Sequence, residues 1–176
     1  MNPRDAHIDD ATLAAAWLRS ARDASVRAAL EGVYAHVSRE IEVRGPVCWA
    51  SGRCCNFERA GHRLYVTGLE AAYTVVEAER APEDDPVGLR LPTLGDVEDA
   101  RGRGGCPFQR GNLCGAHAIK PLGCRVYFCD RSAQVWQQSL HEAALGDVRA
   151  MHDRFGIPYR YMEWRAALEL VVGRVG

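Results

Sequence analysis

The sequence predicts a mainly α fold with minor β, in which helices surround an irregular cysteine-rich centre. Three observations carry this reading. Apolar residues recur at helical spacing near both ends of the chain. The middle, residues 48–129, is interrupted by glycine and proline and holds all seven cysteines. At 176 residues, with 47% hydrophobic and 26% charged residues, the chain can bury one hydrophobic core, and disordered and fibrous classes are excluded. The expected organisation is a single domain over 1–176, with a core at 48–129 and flanking helices at 9–43 and 132–172.

Residues 9–43 read as helix, in one or two pieces. Ile8, Leu13, Trp17 and Leu18 recur at helical spacing around the candidate caps Asp9 and Asp10. Val26, Leu30, Val33, Tyr34, Val37 and Ile41 form a second stripe, which Arg44-Gly45-Pro46 ends. The segment 46–62 reads as loop and Arg63 to Val66 as a short strand. Thr67-Gly68-Leu69-Glu70 then has the form of a capping box, opening a helix to about Arg80. Residues 81–100 read as a solvated loop, and the glycine-rich 101–131 as a loop framework with one strand, Arg125 to Phe128. Ser132 reads as the N-cap of a helix to Phe155, with Val135, Trp136, Leu140, Ala144, Leu145, Val148 and Met151 inward and Gly156 as its stop. Pro158 is expected to begin a last helix through Met162, Trp164, Leu168, Val171 and Val172.

The 22 basic and 23 acidic residues give a net charge of −1, which argues against a dedicated nucleic-acid binder. No apolar run approaches the roughly 20 residues of a membrane span, and Met1–His7 lacks the apolar stretch of a signal peptide. The expectation is a cytoplasmic protein with neither a nucleic-acid nor a membrane partner. Of the basic residues only Lys120 is lysine, which reads as genome composition. Charge is uneven along the chain. Acidic residues of 81–100 run directly into 101–131, where Arg101, Arg103, Arg110, Lys120, Arg125 and Arg131 face only Asp130. The two stretches are expected to pair within the fold, with docking of a partner as the alternative.

The cysteines form two blocks: Cys48, Cys54 and Cys55, then Cys106, Cys114, Cys124 and Cys129. An odd count without an export signal fits a disulfide framework poorly. Thiolates are soft ligands that select zinc, copper(I) and iron–sulfur centres. The spacing is neither the paired knuckles of a zinc ribbon nor the Cys-x2-Cys-x2-Cys run of bacterial ferredoxins. Side chains of the adjacent Cys54 and Cys55 diverge on a strand or a helix, so they suit a multi-iron cluster or two sites better than one tetrahedral ion. Gly52 and Gly104-Gly105 would let backbone amides approach the sulfurs. All seven cysteines are candidate ligands, led by Cys54, Cys55, Cys106 and Cys124. Cys48 also reads as a buried small hydrophobe beside Trp49.

Other side chains carry two readings each. His117 is a ligand or a neighbour of ligands, and His62 is a weaker candidate. His141 and His152 share a helix face and read as surface. Arg53 and Arg125 are either solvated or set against the charge of a thiolate cluster. Tyr127, Phe128 and Trp136 are either core or a screen against water.

The segment Cys106-Pro107-Phe108-x2-Gly111-x-Leu113-Cys114-x2-His117-x2-Lys120-Pro121-x2-Cys124-Arg125-x-Tyr127 resembles the YkgJ-like cysteine-cluster family, also described as a zinc- or iron-chelating domain. The family's upstream Cys-x2-Cys-x2-Cys-Cys reads here Cys48-x2-Ser51-x2-Cys54-Cys55, with Ser51 in the second cysteine position. Lys120 stands where the family has Arg. The resemblance covers Cys48 to Cys129. It implies a metal- or cluster-binding domain in which Cys129 compensates for Ser51. Related sequences include a flagellin lysine N-methylase, but nothing in this chain reads as a methyl-donor site.

The expected cofactor is an iron–sulfur cluster, 4Fe–4S foremost, in a redox or sensing role that implies a redox partner protein. A structural zinc module is the alternative, and an iron- or zinc-dependent enzyme of unknown substrate is a further one.

Overall fold

The computed structural model describes residues 8–175, so the reading made on Met1–His7 lies outside them. The fold is mainly α with minor β. Helix α1 (Asp10–Arg22) starts at Asp9, whose carboxylate accepts from the Thr12 amide at 2.9 Å. Asp23 divides the expected helical stretch into two pieces and caps α2 (Ala24–Arg44), which Gly45 ends in a left-handed conformation. After the short α3 (Phe57–Ala60) come β1 (Tyr65–Thr67) and α4 (Gly68–Glu79). Then follow α5 (Leu94–Gly102), the hairpin β2 (Gln109–Arg110) and β3 (Leu113–Cys114), and α6 (Leu122–Val126). The chain closes with α7 (Gln134–Phe155), β4 (Tyr161–Glu163) and α8 (Trp164–Val172). No helix among the described residues is long and apolar enough to cross a membrane.

The two halves of the chain are clipped together by a ribbon. Strand β1 pairs antiparallel with β4, and each strand runs straight into a helix, α4 and α8, which pack on each other. Helix α1 lies against both. Its Trp17 ring occupies the space over Gly68, where an added Cβ would come within 2.2 Å, and its indole donates to the Pro158 carbonyl at 2.8 Å. Any side chain at position 68 would drive α1 off α4.

Beneath this ribbon lies a buried polar group. Glu70 is 1% exposed and closes the capping box of α4. One carboxylate oxygen accepts from the Thr67 amide (2.9 Å) and hydroxyl (3.0 Å). The other accepts from the Tyr34 hydroxyl of α2 (3.3 Å) and from the Leu122 amide at the start of α6 (2.8 Å). Burial, then the Glu70 charge, pushes the Tyr34 phenol well above its ordinary range, which keeps it a donor. One turn on, the Thr74 hydroxyl lies 3.1 Å from the Ile119 carbonyl. Helix α4 thereby fixes the segment entering α6 by side chains alone.

Several expectations are corrected. No strand forms at Arg125–Phe128: Arg125 and Val126 end helix α6 and Tyr127 leaves it in an extended conformation, because Pro121 presets the N-cap and Glu70 takes an orphan amide of the first turn. The loop at 81–100 contains α5, opened by a Thr93–Asp96 capping box. Asp130, not Ser132, caps the 3₁₀ turn before α7, and Val135 is 81% exposed. The last helix begins at Trp164, since 161–163 is committed to β1. Ile8 is exposed. No ion pair among the described residues joins the acidic 81–100 to the basic 101–131: Arg90 pairs with Asp96 and Arg101 with Glu169. His152, read as surface, is 2% exposed.

Two outcomes follow. Glu70→Gln presents an amide N–H₂ to buried donors, and denaturant unfolding is expected to show a loss of about 2–4 kcal/mol. His152 donates Nδ1–H to the Ile157 carbonyl at 3.2 Å and leaves Nε2 buried without a partner among the described residues. Burial lowers its pKa, against weaker opposing pulls from its carbonyl contacts, Glu70 and Asp153. The unfolded chain therefore binds more protons below about pH 6.5, and stability falls as pH drops through that value. Denaturation midpoints compared at neutral and mildly acidic pH check this, with a shallower fall expected in His152→Gln.

Candidate metal centre

Five of the seven cysteines converge from four separate segments. Cys54 and Cys55 sit in the turn before α3, where the Cys55 and Asn56 amides return to the Gly52 carbonyl. Cys106 follows α5, Cys114 lies on β3 opposite Gln109, and Cys124 lies within α6. The approach of the Cys106 loop to the Cys55 turn depends on Gly104. Its φ of +70° is left-handed, its carbonyl accepts from the Glu58 amide at 3.1 Å, and an added Cβ would meet the Glu58 side chain at 2.9 Å. Cys124 is placed by α6, and so by Glu70.

Cys55 is the hub. Its sulfur lies 4.0 Å from that of Cys54, and Cys106 and Cys114 stand close enough to act on its proton. These contacts raise the Cys55 pKa, and the same proton favours thiolate on its neighbours. Cys54 is lowered to about 6, first by Cys55 and then by the Lys120 ammonium. Cys114 is lowered to about 7, first by Cys55, with help from the Ala116 amide and Lys120. Cys106 is lowered by Cys55, by the Trp164 indole at 3.4 Å and by the Phe108 amide. Cys124 is pushed up by burial. Backbone amides do reach the sulfurs, as expected, but on Cys106 and Cys114 they come from two residues after each cysteine and not from the preceding glycines.

The remaining candidates stand around this group. A cavity of ≈570 Å³ is lined by Cys54, Cys55, Cys114 and Cys124 and also by Cys48 and Cys129. Cys129 Sγ lies 3.6 Å from Ser51 Oγ, so the residue in the substituted motif position and its expected replacement are neighbours. Cys48 is exposed at the cavity edge, which overturns its reading as a buried hydrophobe. His117 Nε2 lies 3.1 Å from Lys120 Nζ, and that ammonium, ahead of burial, lowers the histidine pKa. The ring is thereby an acceptor for Lys120. His62 stacks on Tyr127 at 4.8 Å. Arg125 packs its guanidinium 4.0 Å above the Tyr34 ring and donates to the Ala118 carbonyl, while Arg53 stays exposed. Tyr127 and Phe128 line the cavity, whereas Trp136 packs under Arg44 and does not.

Sequence reasoning missed Trp164 and the role of Lys120. The signal for Trp164 is general: a buried indole needs a partner for its N–H, and here the partner is a sulfur.

The donor set suits a soft metal, with five sulfurs, an indole donor and backbone amides. Among the described residues, however, no group of three or more His, Cys, Asp or Glu side chains stands ready to hold an ion. Compared with family models, curated proteins and solved structures, the chain matches none. In reduced, metal-free protein, Cys54 is expected to alkylate fastest of the five convergent thiols at neutral pH, with a rate that falls as pH drops below about 6. Peptide mapping by mass spectrometry after brief iodoacetamide treatment reads this order.

Proposed function

We propose that this chain is a cysteine-ligated metal-centre protein related to the YkgJ-like cysteine-cluster family, and that its centre is an iron–sulfur cluster in a redox or sensing role. One observation carries the reading: thiols of Cys54, Cys55, Cys106, Cys114 and Cys124, from segments far apart in sequence, share one site. Such a gathering of polarisable donors has little value as packing alone. A bound cluster would exchange electrons with a partner protein, and Cys129 and Cys48 at the cavity edge are the reserve ligands.

A structural zinc is the second reading. Tetrahedral zinc with Zn–S bonds near 2.3 Å places its sulfurs about 3.8 Å apart. The 4.0 Å between Cys54 and Cys55 is close to that spacing, so adjacency does not oppose a single ion. Zinc would then hold the loops together, with its binding energy serving as folding energy.

Metal and acid-labile sulfide analysis of protein purified without oxygen, with an electron paramagnetic resonance spectrum, separates the two. Iron with comparable sulfide is expected, reduced in Cys54→Ser and Cys124→Ser and retained in Cys48→Ser. Colourless protein with stoichiometric zinc and no iron replaces the first reading by the second. Protein that takes up no metal overturns both.

A further inference from the structure

A second and larger cavity, ≈850 Å³, adjoins the thiol centre, and Cys54, Cys124 and Cys129 line both. Its wall combines two kinds of group. Arg53, Arg63 and Arg131 line it, all exposed, and among the described residues none forms an ion pair. The carboxylate on the wall, Asp130, accepts through one oxygen from the Ser132 amide at 2.9 Å and the Ser132 hydroxyl at 2.7 Å, and the three guanidiniums outnumber it. Aromatic rings supply the rest. Tyr65 and Tyr161, from the paired strands β1 and β4, stand with centroids 5.8 Å apart and are 40% and 37% exposed. Tyr127 lies stacked on His62.

We infer that this cavity binds a ring-bearing organic anion, its carboxylate or phosphate taken by the arginines and its planar ring by the tyrosines. Unpaired guanidiniums recognise both oxyanions through the same forked donors. Partly exposed tyrosines facing a concave space offer flat apolar contact without needing to be uncovered. The volume suits a ligand of small-molecule size and excludes a folded partner. Because Cys54 and Cys124 belong to both walls, the ligand would sit next to whatever the thiols hold, and the inference stands whether that is iron or zinc.

Phenyl phosphate and benzoate are the probes, with phenol and inorganic phosphate as the separate halves, titrated into the full chain by calorimetry and followed by NMR. At least one probe is expected to bind more tightly than phenol and than inorganic phosphate, and the tighter of the two identifies the anion preferred. Arg63→Gln and Arg131→Gln should each weaken that binding about three- to fivefold, as exposed charge pairs do, and added salt should weaken it further. Tyr161→Ala should weaken the ring-bearing probe but leave inorganic phosphate unchanged. Probes that bind no better than phenol, or equally well to both arginine variants, overturn the inference. Metal content measured on the same variants should remain at the wild-type level, so failure here is distinct from failure of the metal reading.

Discussion

The fold hangs on the Glu70 carboxylate. It is buried, and it meets four donors from three places: the cap of α4, the Tyr34 hydroxyl of α2 and the first turn of α6. Buried charge is costly unless fully hydrogen-bonded, and here both oxygens are satisfied. The consequence reaches beyond stability. Helix α6 has only five residues and would not persist in isolation. Glu70 takes an amide that its first turn cannot satisfy, Thr74 holds the preceding carbonyl, and Arg125 lies over the same Tyr34 ring. Cys124 is therefore carried by a helix whose position is set from outside it.

The thiols pose the opposite electrostatic problem. Several groups that tend toward negative charge are brought together where water is scarce, and each neighbour raises the cost of the next. The chain answers with hydrogen-bond donors: the Trp164 indole, the Phe108 and Ala116 amides, and the Cys55 thiol itself. It adds one cation. Read from composition, Lys120 was the lone exception in an arginine-rich chain. In the structure that ammonium, a compact point charge, bears on Cys54, Cys114 and Cys124 while resting on a neutral His117. Its placement is chemical.

What the sequence disclosed and what it hid divide along the range of the interactions. The Thr67–Glu70 capping box, the Gly45 and Gly156 stops and the stripes of α1 and α2 depend on neighbours within one turn, and they are legible. The Thr93–Asp96 box was equally local, but prolines and acids around it favoured a loop. Helix α6 was unreadable because Leu122 finds its partner 52 positions away. Val126 has strand propensity, and tertiary contacts override it, while Tyr127 beyond it is extended but unpaired in any strand. Both cysteine blocks were legible as candidate ligands. Their sorting into five convergent thiols, an exposed Cys48 and a Cys129 beside Ser51 follows from turns whose register no spacing rule specifies.

Adjacency of Cys54 and Cys55 shows how such a turn changes an argument. Strand and helix both splay neighbouring side chains, which makes such a pair an awkward chelator of one ion. The Gly52–Asn56 turn is neither, and it brings both sulfurs to the same side, 4.0 Å apart. Number does not separate the two centres. A tetrahedral zinc takes four thiolates and so does a 4Fe–4S cluster, so either would leave one of the five converging sulfurs over. The fifth sulfur would therefore stand beside either centre as a neighbour and not a ligand, and a neighbouring thiol donates to a thiolate instead of adding charge to it.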